Sequence, residues 1–278
     1  MILSTQEERL DYLVEGFKKD SPEYAELPSP GDTDGKRRLL RSLMNVRMPR
    51  PMPEELLRVQ DEYLSARREE REVVDCASIP TVKEAYSSTH PQSDRISLWQ
   101  GDITRLAADA IVNAANSQML GCFAPCHSCI DNCIHTYAGV QLRAECDRQM
   151  RYLRARYGRG YEQPTAVPML TDGYNLPAKK IVHIVGPIVG DRLTRQHERE
   201  LSDCYERTLE LCRENGLRTV AFCCISTGVF HFPAHRAAEI AVRTVTGWLT
   251  DHPGAMDRVI FNVFSDKSRG YYEQLFQE

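Results

Sequence analysis

The fold class predicted by the sequence is a three-layer α/β/α sandwich with a mostly parallel central sheet, plus a small helical N-terminal extension. Two observations predict it. From Ile96 onward, strand-sized apolar runs alternate with amphipathic helical segments, the pattern of strand–helix–strand units. Residues 1–70 show helical periodicity alone, broken by Pro- and Gly-rich stretches. The 278 residues, 42% hydrophobic and 27% charged, suit one large globular domain or an ordinary domain with an appendage.

In the extension, Ser4 or Thr5 can cap a helix that carries Leu10, Tyr12, Leu13 and Phe17 on one side. After the Pro/Gly/Asp-rich loop from Leu27 to Asp32, a second helix carries Leu39, Leu40, Leu43 and Met44. Pro49, Pro51 and Pro53 stop the chain again. A third helix starts near Pro53-Glu54-Glu55, with acidic residues suited to its first turn. It shows Leu56, Leu57, Val59, Tyr63 and Leu64. Residues 1–70 hold no Cys or His, so no chemistry is expected of them. Residues 71–94 read as an irregular polar connector, and residues 95–278 as the α/β domain.

Strands are expected at Ile96–Trp99, Ala110–Asn113, Ala166–Leu170, Ile181–Val185, Val220–Ile225 and Val259–Phe264. Helices are expected at Ile130–Gln149, Arg195–Asn215 and Ala234–Thr250, with a short one after Ser268. In such folds ligands bind in loops at the carboxyl ends of strands.

A formal net charge of −4 gives no electrostatic footprint for general nucleic-acid binding. Met1-Ile2-Leu3-Ser4-Thr5 runs straight into Gln6-Glu7-Glu8-Arg9 without a signal-peptide pattern, and the longest apolar runs are strand-sized. A cytoplasmic protein that neither enters membranes nor binds nucleic acid is expected. Its ten cysteines should then be thiols or metal ligands. Cys223 and Cys224, inside an apolar run, read as small core residues.

The chemistry concentrates at strand ends. Gly101-Asp102-Ile103-Thr104 follows the first strand of the domain, and Val112-Asn113-Ala114-Ala115-Asn116 ends the second. Directly after it come four cysteines, two histidines and an aspartate within Gly121–His135. Ser226-Thr227-Gly228-Val229-Phe230 follows the Val220–Ile225 run and precedes Pro233 at a helix start. Asp102 can accept the amine of an adenine or cap a turn. Asn113 and Asn116 can bond ribose hydroxyls or simply form turns. The 226–230 loop can cradle a diphosphate, since Gly228 permits close approach and backbone amides gather near a helix start. It can equally be a plain connection. Phe264 and Phe230, at strand ends, suit stacking on a base or covering a ribose, or simply packing.

In the cysteine cluster, a helix starting near Cys129 or Ile130 places Ile130, Cys133, Ile134 and Tyr137 in one stripe facing the sheet. Cys133 is then expected to be a core thiol. Asp131 and His135 share another face, four residues apart. There is no second Cys/His pair at zinc-finger spacing. Cys126 and His127 are adjacent, so both are not expected on one ion.

The combination of Gly101-Asp102-Ile103-Thr104, Asn113-Ala114-Ala115-Asn116 and Ile225-Ser226-Thr227-Gly228-Val229-Phe230 resembles the macrodomain family of ADP-ribose-binding modules. With the insert from Gly121-Cys122-Phe123 to Ile130-Asp131-Asn132-Cys133-Ile134-His135, it looks like the zinc-dependent bacterial and fungal branch that removes ADP-ribose from proteins. That branch carries a helical N-terminal extension too. The resemblance implies Zn2+ held by Cys122, His127 and Cys129 with an open fourth position. It implies adenine contacts at Asp102 and the Ile103 amide, and ribose contacts at Asn113 and Asn116. Diphosphate contacts would come from Ser226, Thr227, Gly228, Val229 and Phe230, with Phe264 on the base. Asp131 would orient or deprotonate water, or fix the ribose, with Asn116 beside it in the catalytic set. His135 fits either a ribose contact or a structural role. The implied substrate is a mono-ADP-ribosylated protein, O-linked through an acidic side chain. A lipoylated carrier protein is linked to the family. The competing readings are a non-catalytic ADP-ribose reader, a metal-stabilised interaction protein and a cysteine nucleophile.

Overall fold

The computed structural model describes residues 3–277. In chain order its helices are α1 (Gln6–Asp20), α2 (Thr33–Val46), α3 (Glu54–Glu70), α4 (Val82–Tyr86), α5 (Ile130–Ala138), α6 (Val140–Tyr157), α7 (Arg195–Glu214), α8 (Ala234–Asp251) and α9 (Asp266–Gln277). The strands are β1 (Val74–Asp75), β2 (Ile96–Gln100), β3 (Leu106–Ala107), β4 (Ala110–Ala114), β5 (Met169–Asp172), β6 (Lys180–Ile184), β7 (Thr219–Phe222) and β8 (Arg258–Val263). They fall into two compact units.

The first unit comprises Met1–Glu72, Leu120–Gly160 and Gly173–Leu176, and is helical. A capping box starts α1: the Thr5 hydroxyl accepts from the Glu8 amide while the Glu8 carboxylate accepts from the Thr5 amide. Asp32 caps α2 through the Gly35 amide. The apolar stripes of α1, α2 and α3 meet in one core of Leu10, Leu13, Phe17, Leu40, Leu43 and Val59 with their neighbours. Burying such side chains contributes roughly 1.5–3 kcal/mol each.

The single helix expected over Ile130–Gln149 is two. Gly139 separates α5 from α6 with φ +99°, which L side chains rarely adopt. The expected inward stripe of α5 is also corrected. Ile130, Cys133 and Tyr137 are only half-buried, while Asp131, Asn132, His135 and Ala138 are buried with Ile134. Cys133 is not a core thiol: its sulfur lies 3.5 Å from the Arg41 guanidinium.

The second unit comprises Val73–Met119, Tyr161–Asp172 and Pro177–Glu278. Its six-stranded sheet runs β2-β8-β7-β4-β6-β5. Every neighbouring pair is parallel except β5 with β6, so the sheet is mostly parallel, as expected, with helices flanking it. Ile111, Val112, Ile181, Val182, Val220, Val259 and Ile260 are fully buried, the mark of central parallel strands covered on both faces. Strand β5 starts at Met169 rather than Ala166, because Ala166 takes φ +61° and Val167 closes a turn onto the Pro164 carbonyl. Strand β7 ends at Phe222, where the chain turns away and Ile225 bonds back to Cys223. The connector expected to be irregular is partly regular. Thr81 and Glu84 form a capping box that starts α4, and β1 pairs with β3. No helix among the described residues is long and apolar enough to cross a membrane.

Candidate functional site

In the helical unit, the segment before α5 gathers three ligand-type atoms. The donor atoms of Cys122, His127 and Cys129 all lie within 4.8 Å of one another, and the Cys122 sulfur is 3.8 Å from His127 Nδ1. A tetrahedral zinc ion with ordinary Zn–S and Zn–N lengths sets donor separations of about 3.5–3.8 Å. The three residues therefore fit such an ion with little movement. Two sulfurs and one imidazole are the donor chemistry zinc prefers, and His127 is exposed. Burial, with the neighbouring Cys122 adding to it, pushes the Cys129 thiol up to about 12. A cation is the partner that would hold it as thiolate.

Cys126 stands outside this group. Its backbone is left-handed (φ +53°), and its sulfur sits 3.2 Å from Ser42 Oγ and 3.4 Å from the Arg38 carbonyl.

The segment is held from three sides. Asn132 donates to the Ala124 carbonyl at 2.9 Å and to that of Cys122 at 3.5 Å. Arg41 of α2 donates to the His127 carbonyl and to Asn132 Oδ1, both at 2.8 Å. Asn45, also of α2, accepts from the Cys126 amide at 2.9 Å and donates to Thr136 at 3.0 Å. Arg143 of α6 donates to the carbonyls of Leu120, Cys122, Met44, Asn45 and Arg47. The Phe123 ring lies against its guanidinium at 4.1 Å. Burial pulls the Arg143 pKa down to about 10, still well above neutrality. None of Arg41, Asn45, Asn132 or Arg143 was singled out from sequence. Nothing in sequence spacing marks a polar residue that reaches another segment's carbonyls.

The Cys129 sulfur caps α5 by accepting from the Asn132 amide at 3.4 Å. Asp131 and His135, one turn apart on α5, are each 5% exposed, with Asp131 Oδ1 3.5 Å from His135 Nε2. A solvated surface pair is thereby excluded. Gly121, at φ +83°, lets the backbone pass directly over the His135 ring, where a Cβ would lie only 2.8 Å from it.

In the sheet unit, the expected ligand loops lie at the carboxyl ends of neighbouring strands. Asp102 follows β2 and uses Oδ1 to accept from the Thr104 amide (2.9 Å) and hydroxyl (2.6 Å), so one of its two oxygens caps the turn. Ile103 is buried beside it. Asn116, past β4, is half-buried and accepts from the Gln118 amide at 3.1 Å. Asn113 is fully buried within β4 and bonds His183 of β6 at 3.0 Å, whose other nitrogen bonds Thr171 at 2.9 Å. Burial pushes the His183 pKa down to about 3, so its imidazole is neutral.

Ser226, past β7, takes φ +64° and is buried, with a hydroxyl that has no hydrogen-bond partner among the described residues. Thr227 donates to the Cys224 carbonyl at 3.0 Å, and Gly228 is exposed with open space beside it. Val229 is 71% exposed, and Phe230 is half-buried with its carbonyl accepting from Val189. Phe264, past β8, is 82% exposed, and Ile188, past β6, 63%. Apolar side chains are thus bared after β6, β7 and β8, at the sheet end where ligands bind in parallel α/β folds. Ile188 is a member that sequence reading missed.

Comparisons with known proteins identify the family. Residues 112–241 match the macro domain family. The chain is 45% identical over 271 residues to a protein-ADP-ribose hydrolase of Treponema medium, covering 98% of this chain and 99% of that protein. A protein-ADP-ribose hydrolase of Staphylococcus aureus (strain MSSA476) is 41% identical over 275 residues, covering 99% and 97%. The fold is similar to a crystal structure of the Trypanosoma brucei macrodomain in complex with ADP-ribose. That match has a TM-score of 0.61 and 30% identity, over 84% of this chain and 94% of that one. The chain belongs to the macro domain family. Its full-length relatives within it carry the name protein-ADP-ribose hydrolase.

Proposed function

We propose that this enzyme is a zinc-dependent hydrolase that removes mono-ADP-ribose from modified proteins, linked through oxygen to acidic side chains, and releases free ADP-ribose. The observation that carries the metal reading is the sulfur–nitrogen–sulfur group of Cys122, His127 and Cys129, directly before the helix that bears buried Asp131. The reaction adds water across the bond joining ADP-ribose to the carboxyl oxygen, regenerating the free side chain. When bound, a zinc ion supplies Lewis-acid polarisation at this place.

The remaining work falls to the chain. Asp131 lies in the first turn of α5, where the helix N-terminus attracts negative charge, and it acts as the group that orients or deprotonates the attacking water. His135 holds that carboxylate in place. Asn116 serves the distal ribose, the 226–230 loop the diphosphate, and Asp102, the Ile103 amide and Phe264 the adenine; Asn113, fully buried against His183, supports the strand end beneath the sugar and does not touch it. In this reading residues 1–70, the connector 71–94 and the domain 95–278 work as one cytoplasmic enzyme. A lipoylated carrier protein as substrate rests on the family resemblance alone.

The test pairs metal analysis with release of ADP-ribose from a mono-ADP-ribosylated protein. Serine at Cys122, His127 or Cys129 is expected to lose bound zinc and turnover together. Asp131→Ala should lower kcat about 100-fold or more while free ADP-ribose still binds. Full turnover by a zinc-free triple variant would end the metal reading. Tight binding of the modified protein with no release of ADP-ribose by the wild type would make the chain a reader.

A further inference from the structure

Four arginines converge on a cavity of about 180 Å³ in the helical unit. Arg37, Arg38 and Arg41 come from α2 and Arg67 from α3, and the Tyr63 and Tyr137 rings form part of the wall. Among the described residues, two carboxylates pair with them: Glu70 with Arg67 and Arg37, and exposed Asp34 with Arg37. Among the described residues Arg38 has no acidic partner, and Arg41 donates only to neutral acceptors and a thiol. The cluster therefore carries four positive charges against two negative ones, within a chain of net charge −4. Arg37 and Arg41 are one turn apart, where like charges repel. Among the described residues the buried Nε of Arg37 finds no acceptor, which costs free energy until one arrives. An anion in the cavity removes both penalties.

The rest of the lining selects the kind of anion. Leu40, Met44 and Leu64 stand beside the tyrosines, so the walls are apolar between the guanidinium groups. A carboxylate on a short aliphatic stem gains from both surfaces, and carboxylates suit the guanidinium fork. A free inorganic phosphate gains nothing from the apolar part. The cavity also shares Arg41 with the metal segment, whose His127 carbonyl that residue holds. The geometry points to a docking site for an acidic peptide segment of the modified protein, with a Glu or Asp side chain seated among Arg37, Arg38 and Arg67. The identity of that partner rests on the hydrolase reading; the acidic chemistry does not.

Binding of a fluorescein-labelled deca-glutamate peptide to the full chain, followed by anisotropy at low ionic strength, tests it. Wild type should bind saturably and weaken as salt is raised. Arg38→Glu should weaken binding about tenfold or more, and Arg38→Gln by less. Both variants should keep the wild-type affinity for free ADP-ribose, which also reports that they are folded. With ADP-ribosylated acidic substrate, Arg38→Glu should raise KM and leave kcat unchanged. The proposal is overturned by absence of peptide binding to wild type, by unchanged peptide affinity in Arg38→Glu, or by equal displacement of the peptide by inorganic phosphate. A wild type that binds the peptide through Arg38 but releases no ADP-ribose would leave the docking site standing and remove the hydrolase reading.

Discussion

Arg143 shows how much of the Cys122–Cys129 segment rests on residues that hold its backbone from other helices. Its guanidinium reaches the carbonyls of Leu120 and Cys122 on one side and of Met44, Asn45 and Arg47 on the other. A planar group with five donors suits such a fan of acceptors, and lysine cannot reproduce it. Arg143→Met fills much of the volume but leaves several buried carbonyls unpaired, each costing about 1–3 kcal/mol. Water entry and relaxation will recover part of that, so the expected loss is about 2–4 kcal/mol in equilibrium urea unfolding. Zinc content should fall as well. An unchanged unfolding midpoint would mean that the fan is incidental. Arg41 and Asn45 act on the same segment through the His127 carbonyl and the Cys126 amide. Both lie on α2, in a stretch that reads from sequence as chemically silent. The structure gives that stretch a positioning role.

At the scale of elements, α5 explains why its buried face was misjudged. The stripes 130/133/134/137 and 131/134/135/138 have the same helical spacing and share Ile134, so periodicity cannot choose between them. Hydrophobicity favours the first. The second is the buried one, because Asp131 pairs with His135, and Asn132 beside them with Arg41. Buried polar groups are tolerated when they are paired, and the partner of Asn132 comes from a helix some ninety residues away in sequence. The break after Ala138 belongs to the same scale. At Gly139 a Cβ would meet Gln141 Oε1 at 2.6 Å and Gln60 Nε2 at 2.8 Å, and φ is +99°. Gly139→Ala is expected to destabilise by about 1–3 kcal/mol, from backbone strain and displacement of those amides. Thermal unfolding measures it, and a stability equal to wild type would show that the turn relaxes freely.

For the molecule as a whole, acid stability carries a signature of the sheet. His183 is neutral and buried, with its pKa pushed down to about 3 from an ordinary 6.5. The folded chain then binds fewer protons at this group than the unfolded chain between those two values. Its contribution is complete above pH 6.5 and is lost progressively as pH falls toward 3. His183→Gln keeps an amide near Asn113 and Thr171 but removes the titration. The fall in unfolding free energy below pH 6.5 should be shallower in the variant, by up to about 1.4 kcal/mol per pH unit. Parallel slopes in urea titrations at several pH values would exclude His183 as the source.

The sequence by itself determined the alternation of strands and helices, the three N-terminal helices and the three metal-type residues. These follow from local periodicity, caps and ligand spacing, which are properties of neighbours in the chain. The strand-end loops were legible for the same reason, as turn-forming residues after apolar runs. Only the tertiary structure decided which face of α5 is buried, where that helix breaks, and that Arg41, Asn45 and Arg143 clamp the Cys122–Cys129 segment. It alone also decided that Ile188 and Phe264 stand bare at the strand ends and that four arginines share a cavity. Each of these depends on groups far apart in sequence meeting in space. Whether a polar side chain is buried or an apolar one exposed is set by the partner it finds there.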